Sequence, residues 1–196
     1  MAILLLDVMG TLVHEPFRAE VPAFFGTALP ALVRELSHDA WIDFELGKID
    51  EATFAARCFR DGRALDYDGL VAALTGAYRY LDGIEPLLAA LAGAGHQLHA
   101  LSNYPVWYRL IESRLGLSRY LAWSFVSCET GVRKPDAGAY LGAAARLGVE
   151  PARCLFVDDR DENCAAARAV GMDAIRYDGT HALRAELIER GVLDAS

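Results

Sequence analysis

Four short apolar runs, Ile3–Leu6, Leu98–Leu101, Trp123–Val126 and Cys154–Val157, stand apart from the rest of the chain, each closing on small or polar residues. A run of this length without polar alternation has no water-facing side. It therefore predicts a strand covered on both faces, as in a parallel sheet held between layers of helices. Ala174–Tyr177 is a weaker fifth run. Between the runs, apolar residues recur with helical period at Ile84–Gly93, Trp107–Leu115, Ala137–Leu147 and Asn163–Val170, and again near Ala182–Arg190. Gly95, Gly116, Gly148 and Gly171 follow periodic stretches, where a left-handed residue ends a helix. Strand alternating with helix gives the α/β class, a Rossmann-like three-layer core with about five parallel strands.

Residues 14–82 break the alternation. They carry no convincing buried strand and predict helices at Val21–Leu36, Ala40–Leu46, Glu51–Phe59 and Tyr67–Tyr80. The expected organisation is a core of residues 1–13 and 83–196 with a small all-helical cap, residues 14–82, inserted after the first strand and lying over the strand ends. The 196 residues, roughly 1.3 ordinary domains, suit one core with an insertion.

The chain carries 27 acidic and 19 basic side chains, a net charge of -8, and no run of five or more Lys or Arg. That balance excludes general nucleic-acid binding, which needs a basic footprint. An anionic substrate would need local basic side chains or a divalent cation held by carboxylates. The longest early apolar run, Ala2–Leu6, is too short for a membrane span or a signal-peptide core, so neither membrane nor targeting is expected. Cys58, Cys128, Cys154 and Cys164 contain no Cys-x-x-Cys pair and read as structural thiols of a reducing, cytoplasmic compartment.

Ligands of a parallel sheet bind outside the carboxyl ends of its strands. The residues following the runs are Asp7 with Gly10 and Thr11, then Ser102 and Asn103, then Arg133 and Lys134, and finally Asp158 and Asp159. This set suits phosphoryl transfer. A carboxylate can attack phosphorus and form an acyl phosphate, carboxylates hold Mg2+ through hard oxygen ligands, and lysine with hydroxyl or amide donors takes up charge on the phosphoryl oxygens. Gly10 and Thr11 are expected to form a tight turn with free backbone N–H groups facing that charge. Taken singly, each residue has an ordinary role. Asp7 would cap a strand, Asp158 and Asp159 would favour a helix N-terminus, Lys134 would be solvated, and Arg133 and Arg160 would pair on the surface. Ser102 and Asn103 would serve as turn residues, and Asn163 as a helix cap or as a group orienting metal-bound water. Their convergence on one sheet edge favours a site. Pro135 is expected to set the first turn of the following helix and so to fix where Lys134 emerges.

The segments LLLDVMGTLV, HALSNYP, GVRKPD and FVDDRDENCAAARAVGM, in this order and spacing, resemble the haloacid dehalogenase superfamily of hydrolases with a helical cap after the first strand. The resemblance is closer still to the plant-type flavin mononucleotide hydrolases of that superfamily, through DVMGTLV, VPAFFG, FRDGR, SNYPVWY, YLAW and GVRKPD. It implies a Mg2+-dependent phosphatase that hydrolyses a small phosphomonoester through an aspartyl-phosphate, the reaction of that group being release of phosphate from flavin mononucleotide to give riboflavin. It further implies Asp7 as nucleophile, Lys134 as the motif lysine, and Thr11 with Ser102 or Asn103 as phosphate donors. Mg2+ would be held by Asp7, Asp159 and the backbone carbonyl of Met9, with Asp158 and Asn163 in support.

One position departs from the family's phosphatases, which usually carry a second Asp two residues after the nucleophile to protonate the leaving alcohol. Met9 stands there, and a thioether moves no proton. His14, Glu15, Asp158 or metal-ordered water are the substitutes. The same departure opens two alternatives, a metal-free 2-haloacid dehalogenase and a catalytically silent phosphate-ester or flavin-binding module. Repulsion of Asp158 and Asp159 beside Asp7 favours the cation-dependent phosphatase. Trp107, Tyr108, Phe24, Phe25 and Trp41 are candidates to stack on a flat ring, although such residues more often build core. His96 and His99 point to opposite faces of a strand and make a poor metal pair. Gly93–Gly95 lacks the third glycine of a dinucleotide loop.

Overall fold

In the computed structural model, which describes residues 1–194, the apolar runs pair as one five-stranded, all-parallel sheet of order β3-β2-β1-β4-β5. The strands are β1 (Ile3–Leu6), β2 (Gln97–Ser102), β3 (Ala122–Val126), β4 (Cys154–Asp158) and β5 (Asp173–Arg176). The first four lie where the runs predict them, and β5 begins one residue ahead of its run. All four side chains of β1 are buried, because the sheet is covered on both faces. Leu4 and Leu6 join one apolar cluster and Ile3 and Leu5 the other, as the two-residue period of a strand requires.

Helices α6 (Ile84–Gly93), α7 (Tyr108–Leu115) and α11 (Thr180–Glu189) cover the Leu4 side. Helices α9 (Ala137–Leu147) and α10 (Asp161–Ala169) cover the other, and the short α8 (Ser127–Thr130) follows β3 directly. These three layers are the predicted α/β architecture. Helix α9 starts only at Ala137, with the Asp136 side chain accepting from Gly138 N–H. Pro135 therefore sits in the turn ahead of the helix, not in its first turn.

Residues 14–82 contain five short helices and no strand. They are α1 (Glu20–Phe24), α2 (Leu29–Glu35), α3 (His38–Glu45), α4 (Glu51–Arg57) and α5 (Tyr67–Ala77). The single helix predicted over Val21–Leu36 is broken in two, since Gly26 adopts φ +64° and Pro30 begins a new first turn. Helix α5 stops short of the predicted Tyr80 because Tyr78 turns extended. The chain then runs back beside the segment that leads out of the core, with Leu81 N–H donating to Leu12 O (3.0 Å) and His14 N–H to Arg79 O (2.9 Å). Ser37, Asp50 and Asp66 cap α3, α4 and α5 through side-chain oxygens. The apolar cluster on the Leu4 face continues through Leu12 and Val13 into Leu32, Phe44 and Phe54, so helical segment and sheet share one core.

Candidate active site

Asp7 is the first residue beyond β1, and its N–H donates to Val157 O (2.9 Å), which sets it beside the end of β4. The chain then turns tightly, with Leu12 and Val13 N–H both donating to Val8 O. Gly10 N–H donates to Val13 O (2.8 Å), so the expectation that this N–H is free is corrected: it closes the turn itself. Gly10 has φ +80°, and a Cβ there would lie 3.0 Å from Asp159 Oδ2. Only glycine lets the loop lie against Asp159 in this conformation. Thr11 is fully buried, and its Oγ1 has no hydrogen-bond partner among the described residues.

Lys134 reaches the same point from the far side of the sheet. Asn103, just past β2, straps its backbone in place: Asn103 Nδ2 donates to Lys134 O (2.8 Å), and Lys134 N–H donates to Asn103 Oδ1 (2.7 Å). The Asn103 amide thereby positions the lysine and keeps one N–H in reserve. Ser102, the last residue of β2, is buried beside it in sequence. Lys134 Nζ, itself 2% exposed, lies 2.7 Å from Asp7 Oδ1 and 2.6 Å from Asp158 Oδ2. Asp158 is saturated further, since its Oδ1 accepts Arg160 N–H (2.9 Å) and Asn163 Nδ2 lies 3.0 Å from both carboxylate oxygens. Asn163 sits inside the first turn of α10, whose cap position is Arg160. It binds Asp158 and does not cap the helix.

Asp7, Asp158 and Asp159 each offer a carboxylate oxygen within 4.8 Å of the others. One ammonium faces three carboxylates. Burial pushes the Asp7 carboxyl up to about 7 against the pull of Lys134, with Asp158 and Asp159 adding to the rise. Burial also raises Asp159, reinforced by Asp158 and Glu15, while Arg18 and Lys134 oppose it. Burial alone would lower Lys134, but Asp7 and Asp158 hold it above its ordinary value and charged. Lys134 thus answers the repulsion between Asp7 and Asp158, whereas the cation nearest Asp159 among the described residues is Arg18, at 3.9 Å. This donor set, all hard oxygens with excess negative charge, fits a divalent cation.

The acidic group forms the floor of a cleft of about 840 Å3, a size suited to a small organic ligand. Its upper wall is apolar and comes from residues 14–82: Phe17, Val21, Phe25, Leu32, Trp41 and Phe54. Of the three side chains considered as replacements at the Met9 position, Asp158 is fully engaged and His14 Nε2 is held by Glu20 Oε1 (2.7 Å). Glu15 lines the cleft, bound by Arg18 Nε (2.9 Å).

Phe25, Trp41 and Trp107 all line the cleft, Trp107 from within the core. It is 1% exposed, its ring lies 5.0 Å from Phe44, and its indole N–H donates to Tyr67 Oη (2.9 Å) and Glu51 Oε1 (3.1 Å). Tyr108 donates to Glu129 Oε1 (3.1 Å) on the outside. His96 and His99 go to separate partners, Val192 O and Ser124 Oγ. Burial raises Cys58, Cys128, Cys154 and Cys164, as expected of unreactive structural thiols.

Sequence reading missed Glu45 and Ser127. Glu45 is 5% exposed, lines the cleft, and lies against Arg133, with Arg133 Nη2 2.7 Å from Oε2. The available signal was an acid flanked by Phe44 and Leu46 in an apolar stretch. Ser127 Oγ–H donates to Glu45 O (2.6 Å) and accepts Tyr104 N–H (3.0 Å), tying the helical segment to the sheet edge. Nothing local marks that role.

The chain belongs to the haloacid dehalogenase-like hydrolase family, which matches residues 1–171. It is 44% identical over 190 residues to the chloroplastic flavin mononucleotide hydrolase 1 of Arabidopsis thaliana, covering 97% of this chain and 78% of that one. It is 34% identical over 110 residues to a phosphoglycolate phosphatase of Xylella fastidiosa, covering 56% of this chain and 47% of that one. Its fold matches a haloacid dehalogenase family enzyme from Bacteroides thetaiotaomicron, solved with magnesium and inorganic phosphate. The TM-score is 0.74 at 20% identity, over 94% of this chain and 100% of the other. Among the described residues no helix is long and apolar enough to cross a membrane.

Proposed function

We propose that the protein is a Mg2+-dependent phosphomonoesterase and that its substrate is flavin mononucleotide, which it hydrolyses to riboflavin and phosphate. The observation that carries this reading is a buried lysine bridging Asp7 and Asp158 beside Asp159, at the floor of a cleft with an apolar roof. The identity to a flavin mononucleotide hydrolase over nearly the whole chain supports the substrate.

Asp7 and Asp159 with the backbone carbonyl of Met9 would hold Mg2+, and Asp158, whose oxygens are already taken, would fix Lys134 instead. When bound, Mg2+ supplies positive charge for the phosphoryl oxygens. An Asp7 oxygen attacks phosphorus, the bond to the ester oxygen breaks, and the leaving alkoxide takes its proton from a water molecule in the cleft. Water then attacks the aspartyl-phosphate, releasing phosphate and restoring Asp7. Lys134 neutralises charge on the transferred group, and the Thr11 hydroxyl, buried without a partner, would donate to it. The helical segment 14–82 acts as a cap that excludes bulk water.

Phosphate release from flavin mononucleotide is expected with Mg2+ and is lost in excess chelator. Release undiminished by chelator contradicts the metal role. Halide release from a chloro- or bromo-acid without Mg2+ would instead favour the dehalogenase, and flavin binding without turnover of even an activated aryl phosphate the silent module.

A further inference from the structure

We propose that Glu45 and Arg133 are specificity-determining residues which bind an adjacent hydrogen-bond donor and acceptor on the leaving group; this rests on the phosphatase reading above. Both side chains line the same cleft as Asp7 and Lys134. Glu45 closes α3 in the helical segment, and Arg133 directly precedes Lys134, so the pair spans the cleft from roof to floor.

The pair is close but incompletely satisfied. Arg133 Nη2 stands 2.7 Å from Glu45 Oε2, and Arg133 Nε is buried with no hydrogen-bond partner among the described residues. Burial raises the Glu45 carboxyl against the pull of Arg133 and of the Trp41 indole. Polar atoms left unpaired in a protein interior are costly, and they persist where something else completes them. The Glu45 backbone is pinned by Ser127, so the carboxylate is held at the cleft wall.

What would complete the pair follows from its chemistry. Glu45 Oε2, beside Arg133 Nη2, keeps a second lone pair for a further N–H or O–H, and Arg133 Nε–H needs a carbonyl or other oxygen. The ligand must present donor and acceptor side by side. A flat ring with an imide edge does so, and so does a chain of neighbouring hydroxyls. The Phe25 and Trp41 rings in the same wall suit a body with an aromatic plane. If the two residues merely fastened the helical segment to the sheet, all ester substrates would suffer alike when they are changed.

Two substitutions test this. Glu45→Gln is isosteric, and Arg133→Lys keeps a cation opposite Glu45 while removing the Nε donor. Riboflavin, which lacks the phosphate, is titrated by its fluorescence against wild type and both variants, and kcat/KM is measured for flavin mononucleotide and for 1-naphthyl phosphate. Each variant should weaken riboflavin about tenfold, the range of one charge-assisted hydrogen bond. The ratio of kcat/KM for flavin mononucleotide over 1-naphthyl phosphate should fall by a similar factor, with Tm little changed. Lumiflavin, which keeps the imide edge without the polyol, separates the two sources. A weakened lumiflavin complex assigns the ring edge, and an unaltered one assigns the hydroxyls. Equal riboflavin affinity in all three proteins, equal losses on both esters, or no riboflavin binding by wild type overturns the proposal. Failure of the phosphatase reading is distinct: no ester turns over, while the riboflavin effect remains.

Discussion

Lys134 is the residue on which the site's electrostatics turn. It is a buried cation held by two buried carboxylates, and removing one member of such a group leaves charges uncompensated in a medium that solvates them poorly. Lys134→Met should cost about 3–5 kcal/mol of stability, read as a lowered Tm, and should lower kcat for ester hydrolysis by about 10²-fold or more. A loss of activity with unaltered Tm would contradict the buried pairing. Asp7 behaves in the opposite sense. Its carboxyl stands at about 7 in the folded chain against an ordinary 3.8, so it favours folding while protonated. That contribution is complete below about pH 4 and disappears as the pH climbs to 7. In metal-free protein, Asp7→Asn should therefore gain Tm relative to wild type between pH 4.5 and 7.5, by about 2–4 °C for each kcal/mol. A difference that stays flat with pH, or reverses, would contradict the burial cost.

At the scale of elements, what could be read from the sequence were the core strands, because a strand buried on both faces leaves an unbroken apolar run. The glycines closing four core helices were legible for a similarly local reason. Residues 14–82 were harder. Gly26 and Pro30 divide one periodic stretch into α1 and α2, and periodicity by itself does not reveal such a break. The candidate site was legible where it closes or follows strands, at Asp7, Asn103, Asp158 and Asp159, all of which line the cleft, whereas Ser102 ends β2 buried and does not line it. Glu45 and Ser127 escaped because their contact, 82 residues apart, exists only after the helical segment docks. Gly47 lies at a close approach within that docking. It has φ +67°, and a Cβ would lie 2.2 Å from Cys128 O. Gly47→Ala should cost at least about 1 kcal/mol and should speed hydrogen exchange in α3 and α4 more than in β1. Uniform exchange, or unaltered stability, would show that the contact yields freely.

For the whole molecule, the apolar cluster that runs from the sheet into residues 14–82 ties the cleft's roof to its floor. Excess negative charge at the floor should accordingly be felt by the entire fold. Mg2+ that binds only the folded chain stabilises it by mass action, so Tm should rise with Mg2+ concentration, and Asp159→Asn should suppress that rise. An equal rise in Asp159→Asn would place the cation elsewhere. The most direct test of the account is to find where phosphorus becomes attached. Enzyme quenched in acid during turnover of flavin mononucleotide is reduced with borohydride, which converts an aspartyl-phosphate to homoserine, and the peptide containing position 7 is weighed by mass spectrometry. Homoserine at position 7, absent from Asp7→Asn, is the predicted result. Reduction at a different residue would contradict the central claim.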